Sequence, residues 1–525
     1  MKDIIIRGGT IYDGTGAPGV RADLAIEDGK ITAIGDLSGE QAAEELDAAG
    51  LAVAPGFINI HGHSDTAFLL DDSFASLVYQ GVTTEVCGNC GYTGFPALPP
   101  QEDGIKRAKA EGWYCASFDD FAEKFEREGR RMGANLAYLA AHGSIRSAAA
   151  GYDDRPVTKE ELRTMQELLR RDLKAGAWGM SLGLEYAPGC FADEDELAAM
   201  GEVVQEFDAL LPAHLRNEGV RLGEAIDELL SVGRRTGAHV HISHLKLDNV
   251  KVHGTAPEIW EKIEKAKAEG VRVTADMYPY LASHTGLTNR CPKWALSGGD
   301  GAIADVLTGP RREEVISFIR EKYYWNAERA ETAFFTDGCE RWPEVLGKNL
   351  REVAEELLGT TDYAEAAAEI LVRTKGEATG CFFVMSEADM LYFLKQDICL
   401  CTDGYAYPVD PAKLENIPHP RSYGAIAEFL RLNRELGICS VEEAVRRLTG
   451  KPAEILGMKD RGLLKPGLTA DVTVFDPAAV RPAATYLHPV AAAEGVRHVV
   501  IGGGIALRDG VQTEGRYGTI LRRQV

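Results

Sequence analysis

His61-Gly62-His63, Cys90, His214, His244 and Asp403 are the residues of this chain whose side chains suit one common chemistry. Imidazole and thiolate with an oxygen donor hold Zn²⁺, and an ion kept by three protein ligands has an open position for reaction. The His-X-His pair alone is weak evidence. Cys90 closes a Cys-X-X-Cys, Cys87-Gly88-Asn89-Cys90, a spacing used by redox dithiols and by halves of structural zinc sites. No second Cys-X-X-Cys follows, and the other cysteines are scattered singly apart from Cys399 and Cys401. Any partner must therefore come from distant parts of the chain. Single histidines are more often hydrogen-bonded core residues than ligands, and His142, His239, His241 and His253 are read that way.

Gathering such distant residues requires a particular element pattern. Apolar β runs at 56–60, 82–86, 136–141, 178–183, 210–215, 239–245, 272–280 and 398–402 alternate with charged amphipathic helices such as 159–175, 219–236 and 256–269. This alternation predicts βα units and a parallel sheet, and eight such strands close a TIM-like (β/α)8 barrel. Strand C-termini converge on one rim of a barrel. His61 and His63 end strand one, Cys90 follows strand two, His214 ends strand five, His244 strand six and Asp403 strand eight. Together these form a far stronger signal than any one of them.

The stretch between 280 and 398 far exceeds a βα loop of 2–6 residues, so it predicts an inserted helical subdomain on the active side of strand seven, read as a lid in preference to a lateral helical decoration. Residues 1–54 and 466–525 are strand-rich, with Asp28-Gly29 as a hairpin turn. Each is too small for its own core, and the two are predicted to pair into one small β-sandwich domain. The expected boundaries are 1–54 for the N-terminal part of that domain and 55–284 for barrel strands one to seven. The lid follows at 285–375, strand eight and closing helices at 376–465, and the rest of the β domain at 466–525.

Lys and Arg number 57 against 80 Asp and Glu, a net charge of −23. Such a surface opposes nucleic acid and anionic membrane as partners and leaves a small molecule as the expected one. No apolar run approaches the roughly 18 residues that span a bilayer, and MKDIIIRGGTIYDGTG has no signal-type apolar core. Ten cysteines in 525 residues are too sparse for a disulfide scaffold, so the cytoplasm is the expected compartment. Nothing here fixes an oligomeric state.

GFINIHGH, GVTTEVCGNCG, AHLRNEG, ISHLK, the YPY after strand seven and TDG resemble the amidohydrolase superfamily, and within it the D-aminoacylases, or N-acyl-D-amino-acid deacylases. The resemblance runs from IIIRGGTIYDGTG to LTGKPAEILGMKDRGLLKPGLTADVTVFDP. It implies zinc-dependent hydrolysis of N-acyl-D-amino acids, with the GNCG cysteine, Cys90, in place of the bridging carbamylated lysine of other amidohydrolases. Strand four, GAWGMSLGLEY, has no lysine. The implied tight zinc site is Cys90, His214 and His244, while His61, His63 and Asp403 flank a second position, weak or vacant. Asp403 is then the base that takes a proton from water and returns it to the leaving amine, with His63 assisting at the oxyanion. Arg421 in HPRSYG and Tyr278 resemble the family's clamp on the substrate α-carboxylate. Three features depart from the pattern: His284 stands where relatives usually carry serine, Asn59 replaces a common aspartate, and the loop after strand eight is longer.

Two other readings compete. A cyclic-amide hydrolase of the dihydropyrimidinase type would want the strand-four lysine, and an inactive barrel scaffold would have lost ligands. The segment GLTNRCPKW carries Arg290 at the entrance to the lid. If that guanidinium faces the cavity unpaired, its burial calls for an anionic substrate side chain, D-glutamate or D-aspartate.

Overall fold

The computed structural model describes residues 1–96, 112–113, 115–299 and 301–524. All eight expected barrel strands occur in it: Phe57–Asn59, Val82–Cys87, Asn135–Tyr138, Met180–Gly183, Leu210–His214, His239–Ile242, Val273–Met277 and Cys399–Leu400. They are buried almost throughout, as strands covered on both faces must be. Neighbours pair in parallel, for example Ile58 with Thr84, Pro212 with His241 and Asp276 with Cys399. Strand three is interrupted at Leu139 and continues as Ala140–Ala141, which pairs with Met180 and Ser181 of strand four.

Strands eight and one close the ring without a regular ladder. Asp403 N donates to His61 O at 2.9 Å and His63 N to Gly404 O at 2.8 Å. The Asn59 side chain supplies the rest, accepting from Thr402 N at 2.9 Å and donating to Thr402 Oγ1 at 2.8 Å.

Amphipathic helices clad the ring and are delimited by their own sequence. Lys159–Lys174 starts at a Thr158–Glu161 capping box, and Leu222–Thr236 stops at Gly237, whose φ of 74° suits a residue without a Cβ.

The chain termini meet as expected. Val472–Phe475 pairs antiparallel with Ala52–Pro55, joining both ends into a nine-stranded sheet. Lys2–Ile11 shifts register around Gly8, pairing first with Ala42–Asp47 and then with Ala52–Pro55. The folded sheet encloses Ile4, Ile6, Leu24, Ile26, Val472 and Val500. One boundary is corrected. The expected β domain ran to 525, but Ile520–Leu521 leaves it and pairs with barrel strand three. Strands three and four splay at their N-terminal ends, and the tail fills the gap: Leu136 N donates to Thr519 O and the Trp178 indole to Leu521 O, both at 2.9 Å.

The insertion is not purely helical. Ser283–Gly286, Thr379–Phe382 and Ala333–Asp337 form a three-stranded antiparallel sheet in that order, so it starts and ends in strands beside the barrel rim. Its helices pack on a separate core that includes Leu287, Val315, Phe335 and Ile370. Among the described residues no helix is long and apolar enough to cross a membrane.

Candidate metal centre

The donors that stand far apart in sequence meet at the C-terminal rim. Cys90 Sγ lies 3.4 Å from His244 Nε2 and 3.4 Å from His61 Nε2, and His214 Nδ1 lies 3.0 Å from His244 Nε2. Ligands about 2.0–2.3 Å from a tetrahedral zinc ion stand roughly 3.3–3.6 Å from one another, which the two Cys90 spacings match, while the two imidazoles stand slightly closer. Asp403 Oδ1 is 3.0 Å from His63 Nε2 and 3.4 Å from His61 Nε2. The ligand atoms of His61, Cys90, His244 and Asp403 lie within 4.8 Å of one another, as do those of His214, Glu218 and His244. His244 thus belongs to both halves of the site.

The backbone is bent to bring them there. Cys90, His244 and Asp403 have φ of 54°, 36° and 47°, left-handed values that non-glycine residues adopt at a cost. Strain gathered on three candidate ligands is typical of a working site.

Electrostatics favour a cation. Burial, then the nearby Asp403 and Glu218 carboxylates, pushes the Cys90 thiol well above its ordinary range. A thiolate there needs a positive partner, which a zinc ion supplies. Burial, then the Lys246 charge, holds the His244 imidazole down at about 4, in the neutral form a metal requires. Burial alone would raise the Asp403 carboxyl. The Arg421 charge, followed by His244 and the His63 hydrogen bond, outweighs it and keeps Asp403 well below the usual carboxylate range.

A second layer of carboxylates, not foreseen from the sequence, orients the rings. Glu218 Oε1 lies 2.9 Å from His244 Nδ1, its Oε2 lies 2.6 Å from Lys246 Nζ, and Glu185 Oε2 lies 3.3 Å from His214 Nε2. Carboxylates on the outer nitrogens fix which nitrogen faces a metal. Asp276, 3.7 Å from His61 Nδ1, is held by His241 at 2.7 Å and accepts from His244 N at 2.7 Å. Glu218 and Lys246 sit within the quoted AHLRNEG and ISHLK motifs, the one signal that could have found them.

The histidines read as core residues all have ordinary partners: His142 with Glu196 at 2.8 Å, His239 with Thr274 at 3.0 Å, His241 with Thr274 at 2.7 Å and His253 with Val384 O at 2.9 Å. Cys87 points away from the centre, its Sγ 3.5 Å from Glu85 Oε1.

The expected substrate groups adjoin the centre. Arg421 Nη1 is 2.8 Å from Asp403 Oδ2, and its guanidinium lies 4.6 Å from the Tyr278 ring centroid. The Tyr278 hydroxyl and Arg421 Nε are buried and have no hydrogen-bond partners among the described residues. His284 Nε2 meets Thr336 Oγ1 of the insertion at 3.0 Å, and burial, then Arg421, pushes its imidazole down to about 3. Arg290 differs from the expectation of an unpaired cation. It is buried, but Nη1 donates to Asp248 Oδ2 at 3.1 Å and the guanidinium packs over Phe382 and Tyr323 at 4.5 and 5.0 Å. Its Nη2 has no hydrogen-bond partner among the described residues. Asn59 does not line a substrate site. It is fully buried between Glu85 and Thr402.

A barrel rim that gathers these candidate donors is the architecture of a metal-dependent hydrolase. The model of the Amidohydrolase family matches residues 44–289 and 399–506, and the chain belongs to that family. It is 35% identical over 524 residues to N-acyl-D-glutamate deacylase of Alcaligenes xylosoxydans xylosoxydans, covering 99% of this chain and 96% of the relative. Among solved structures it is similar to N-acyl-D-glutamate deacylase from Bordetella bronchiseptica complexed with zinc and a phosphonate inhibitor, a mimic of the tetrahedral intermediate. That likeness has a TM-score of 0.83 and 32% identity, and covers 99% of both chains. It is equally similar to a D-aminoacylase whose binuclear metal center is described by one-metal activation and second-metal attenuation, with a TM-score of 0.83, 30% identity and full coverage of both chains.

Proposed function

We propose that this protein hydrolyses the amide bond of N-acyl-D-amino acids, releasing a carboxylate and a free D-amino acid. The observation that carries the reading is the approach of Cys90 Sγ and His214 Nδ1 to His244 Nε2 beside the Asp403–Arg421 pair. Cys90, His214 and His244 would hold one tight zinc, and His61, His63 and Asp403 flank a second, weaker position. A zinc ion at this place supplies Lewis acidity, lowering the pKa of water to about 7 and polarising a carbonyl.

The protein's own groups do the rest. Asp403, kept ionised by Arg421, accepts the proton of the attacking water and delivers it to the leaving nitrogen, without which an amine does not depart at neutral pH. His63, 3.0 Å from Asp403, orients that carboxylate and faces the developing negative charge. Arg421 and Tyr278 offer their free donors to the substrate α-carboxylate, and His284, neutral in this setting, completes the wall. The free Nη2 of Arg290 supports an acidic substrate side chain, as does the resemblance to a D-glutamate deacylase. The cyclic-amide alternative lacks support at strand four, where Met180–Gly183 is followed by Leu184 and Glu185 and no lysine is present. The gathering of these donors at one rim argues against an inactive scaffold.

The test is zinc content by metal analysis together with turnover of N-acetyl amino acids of both hands. About one tight zinc per chain and hydrolysis confined to D substrates are expected. A zinc-loaded protein inert on the D panel overturns the reading.

A further inference from the structure

Beneath the His61-Gly62-His63 turn lies a buried carboxylate that the reaction does not use. Glu85, on strand two, is fully buried, and among the described residues it forms no ion pair. It sits so directly under the turn that a Cβ at Gly62 would fall 2.2 Å from its Cδ. Its neighbours are polar but uncharged. Asn59 Nδ2 donates to Oε2 at 2.6 Å, Ser64 N to Oε1 at 3.2 Å and Cys87 Sγ to Oε1 at 3.5 Å.

An Asn side chain can turn over and exchange its oxygen and nitrogen, and only one orientation serves here. Nδ2 must face Glu85 for Oδ1 to accept from Thr402 N. The Thr402 amide can only donate and so requires Oδ1 on its side, and Glu85 accepts from Nδ2 on the other. Thr402 immediately precedes Asp403, whose backbone is held at φ 47°. Thr402 Oγ1 accepts from Asn59 Nδ2 at 2.8 Å and from Gly404 N at 3.2 Å, so it braces both sides of the strained residue. This is also the seam where strands eight and one lack a regular ladder, and the Asn59 amide stands in for it.

We infer that Glu85, Asn59 and Thr402 are positioning residues for Asp403: Glu85 sets the Asn59 amide, the amide sets Thr402, and Thr402 fixes the Asp403 carboxylate against His63. The inference rests on the deacylase reading for its kinetic test. It also gives Asn59, a departure from the family pattern, a role in the base rather than in substrate choice.

The test uses the zinc-loaded full chain. Asn59→Asp sets two carboxyl groups in a 2.6 Å contact and should lower kcat on the order of 100-fold, with KM within about threefold and zinc retained. Asn59→Asp with Glu85→Gln exchanges acid and amide between the strands and should recover at least about tenfold of that loss, because one side again donates and the other accepts. Thr402→Val, a milder change, removes the Oγ1 brace and should lower kcat about 10- to 100-fold while Thr402→Ser stays near wild type. Crystal structures of these variants give a readout independent of turnover. In Thr402→Val the Asp403 carboxylate should leave its 3.0 Å contact with His63, and in Thr402→Ser it should stay. A well-folded Thr402→Val with wild-type kcat and an unmoved Asp403 overturns the inference, as does a double variant no better than a folded Asn59→Asp. Should Asn59→Asp not fold, the Thr402 pair decides. Should the wild type lack deacylase activity, the functional reading falls and the crystal structures alone judge the network.

Discussion

Replacing Arg290 by leucine tests the acidic side-chain pocket. In the wild type the guanidinium is buried, sandwiched over Phe382 and Tyr323, with one edge on Asp248 at 3.1 Å and Nη2 free. A charge-assisted hydrogen bond from Nη2 to a substrate carboxylate contributes roughly 1.5–3 kcal/mol, a preference on the order of 10- to 100-fold in kcat/KM for N-acetyl-D-glutamate over N-acetyl-D-leucine. Arg290→Leu should bring that ratio to about one or below. It also strands Asp248 without its cation, a loss of roughly 3–5 kcal/mol for a broken buried pair. The specificity measurement therefore belongs in Arg290→Leu with Asp248→Asn, which removes the stranded charge. Asp248→Asn alone gives a prediction of opposite sign: freed from its partner, Arg290 should favour acidic substrates more strongly. The assay is kcat/KM across a panel of N-acetyl-D-amino acids, with thermal melts to compare folding. A wild type that favours D-leucine, or a ranking unchanged in the double variant, refutes the acidic pocket and leaves the deacylase reading standing.

Cys90→Ala should lose most of the zinc and activity, whereas Cys87→Ala, trimming a buried sulfur that faces Glu85, should keep both at a cost of about 1 kcal/mol in stability; equal zinc loss in the two rejects the ligand assignment. Asp403→Asn should retain the tight zinc and lose about 10²- to 10⁴-fold in kcat, and near-normal turnover by steady-state kinetics would place the base elsewhere. Burial raises the Glu85 carboxyl from 4.5 to about 7, against the hydrogen bonds from Ser64 and Asn59. Between those values the folded form holds a proton the unfolded form has lost, so stability falls as pH rises from about 4.5 to 7, by roughly 3 kcal/mol in all. His239, pushed down by burial to about 4, acts in the opposite sense, gaining stability as pH rises from 4 to 6.5. Comparing the Tm of wild type and Glu85→Gln across that range isolates the carboxyl; parallel curves reject it.

The barrel was legible because its signal repeats. Eight apolar runs, each followed by an amphipathic helix, leave few topologies open, and chemistry at a barrel is confined to one rim. Boundaries were less legible where the fold departs from repetition. The terminal strand Ile520–Leu521 is recruited by a gap between strands three and four, a vacancy that exists only after the ring forms. The strands of the insertion, such as Ala333–Asp337, pair over long separations within a segment read as helical from its charge pattern.

The candidate donors were legible for a different reason than their supports. Thiol and imidazole are scarce in this chain, 10 Cys and 12 His, so their placement at strand ends carries information. The residues that orient them are carboxylates, and the sequence offers 80 Asp and Glu from which to choose. Apart from lying in or beside the resembling motifs, nothing in residue type or spacing distinguishes Glu218, Glu185, Asp248 or Glu85 from the acids on solvated helix faces. Their meaning comes from burial, since a carboxylate taken out of water must be met by donors or cations. Glu218 meets Lys246, Asp248 meets Arg290, and among the described residues Glu85 meets only neutral groups. That difference separates their roles: the first two balance buried cations, while Glu85, with no cation beside it, is left to the proposed role of setting the orientation of an amide.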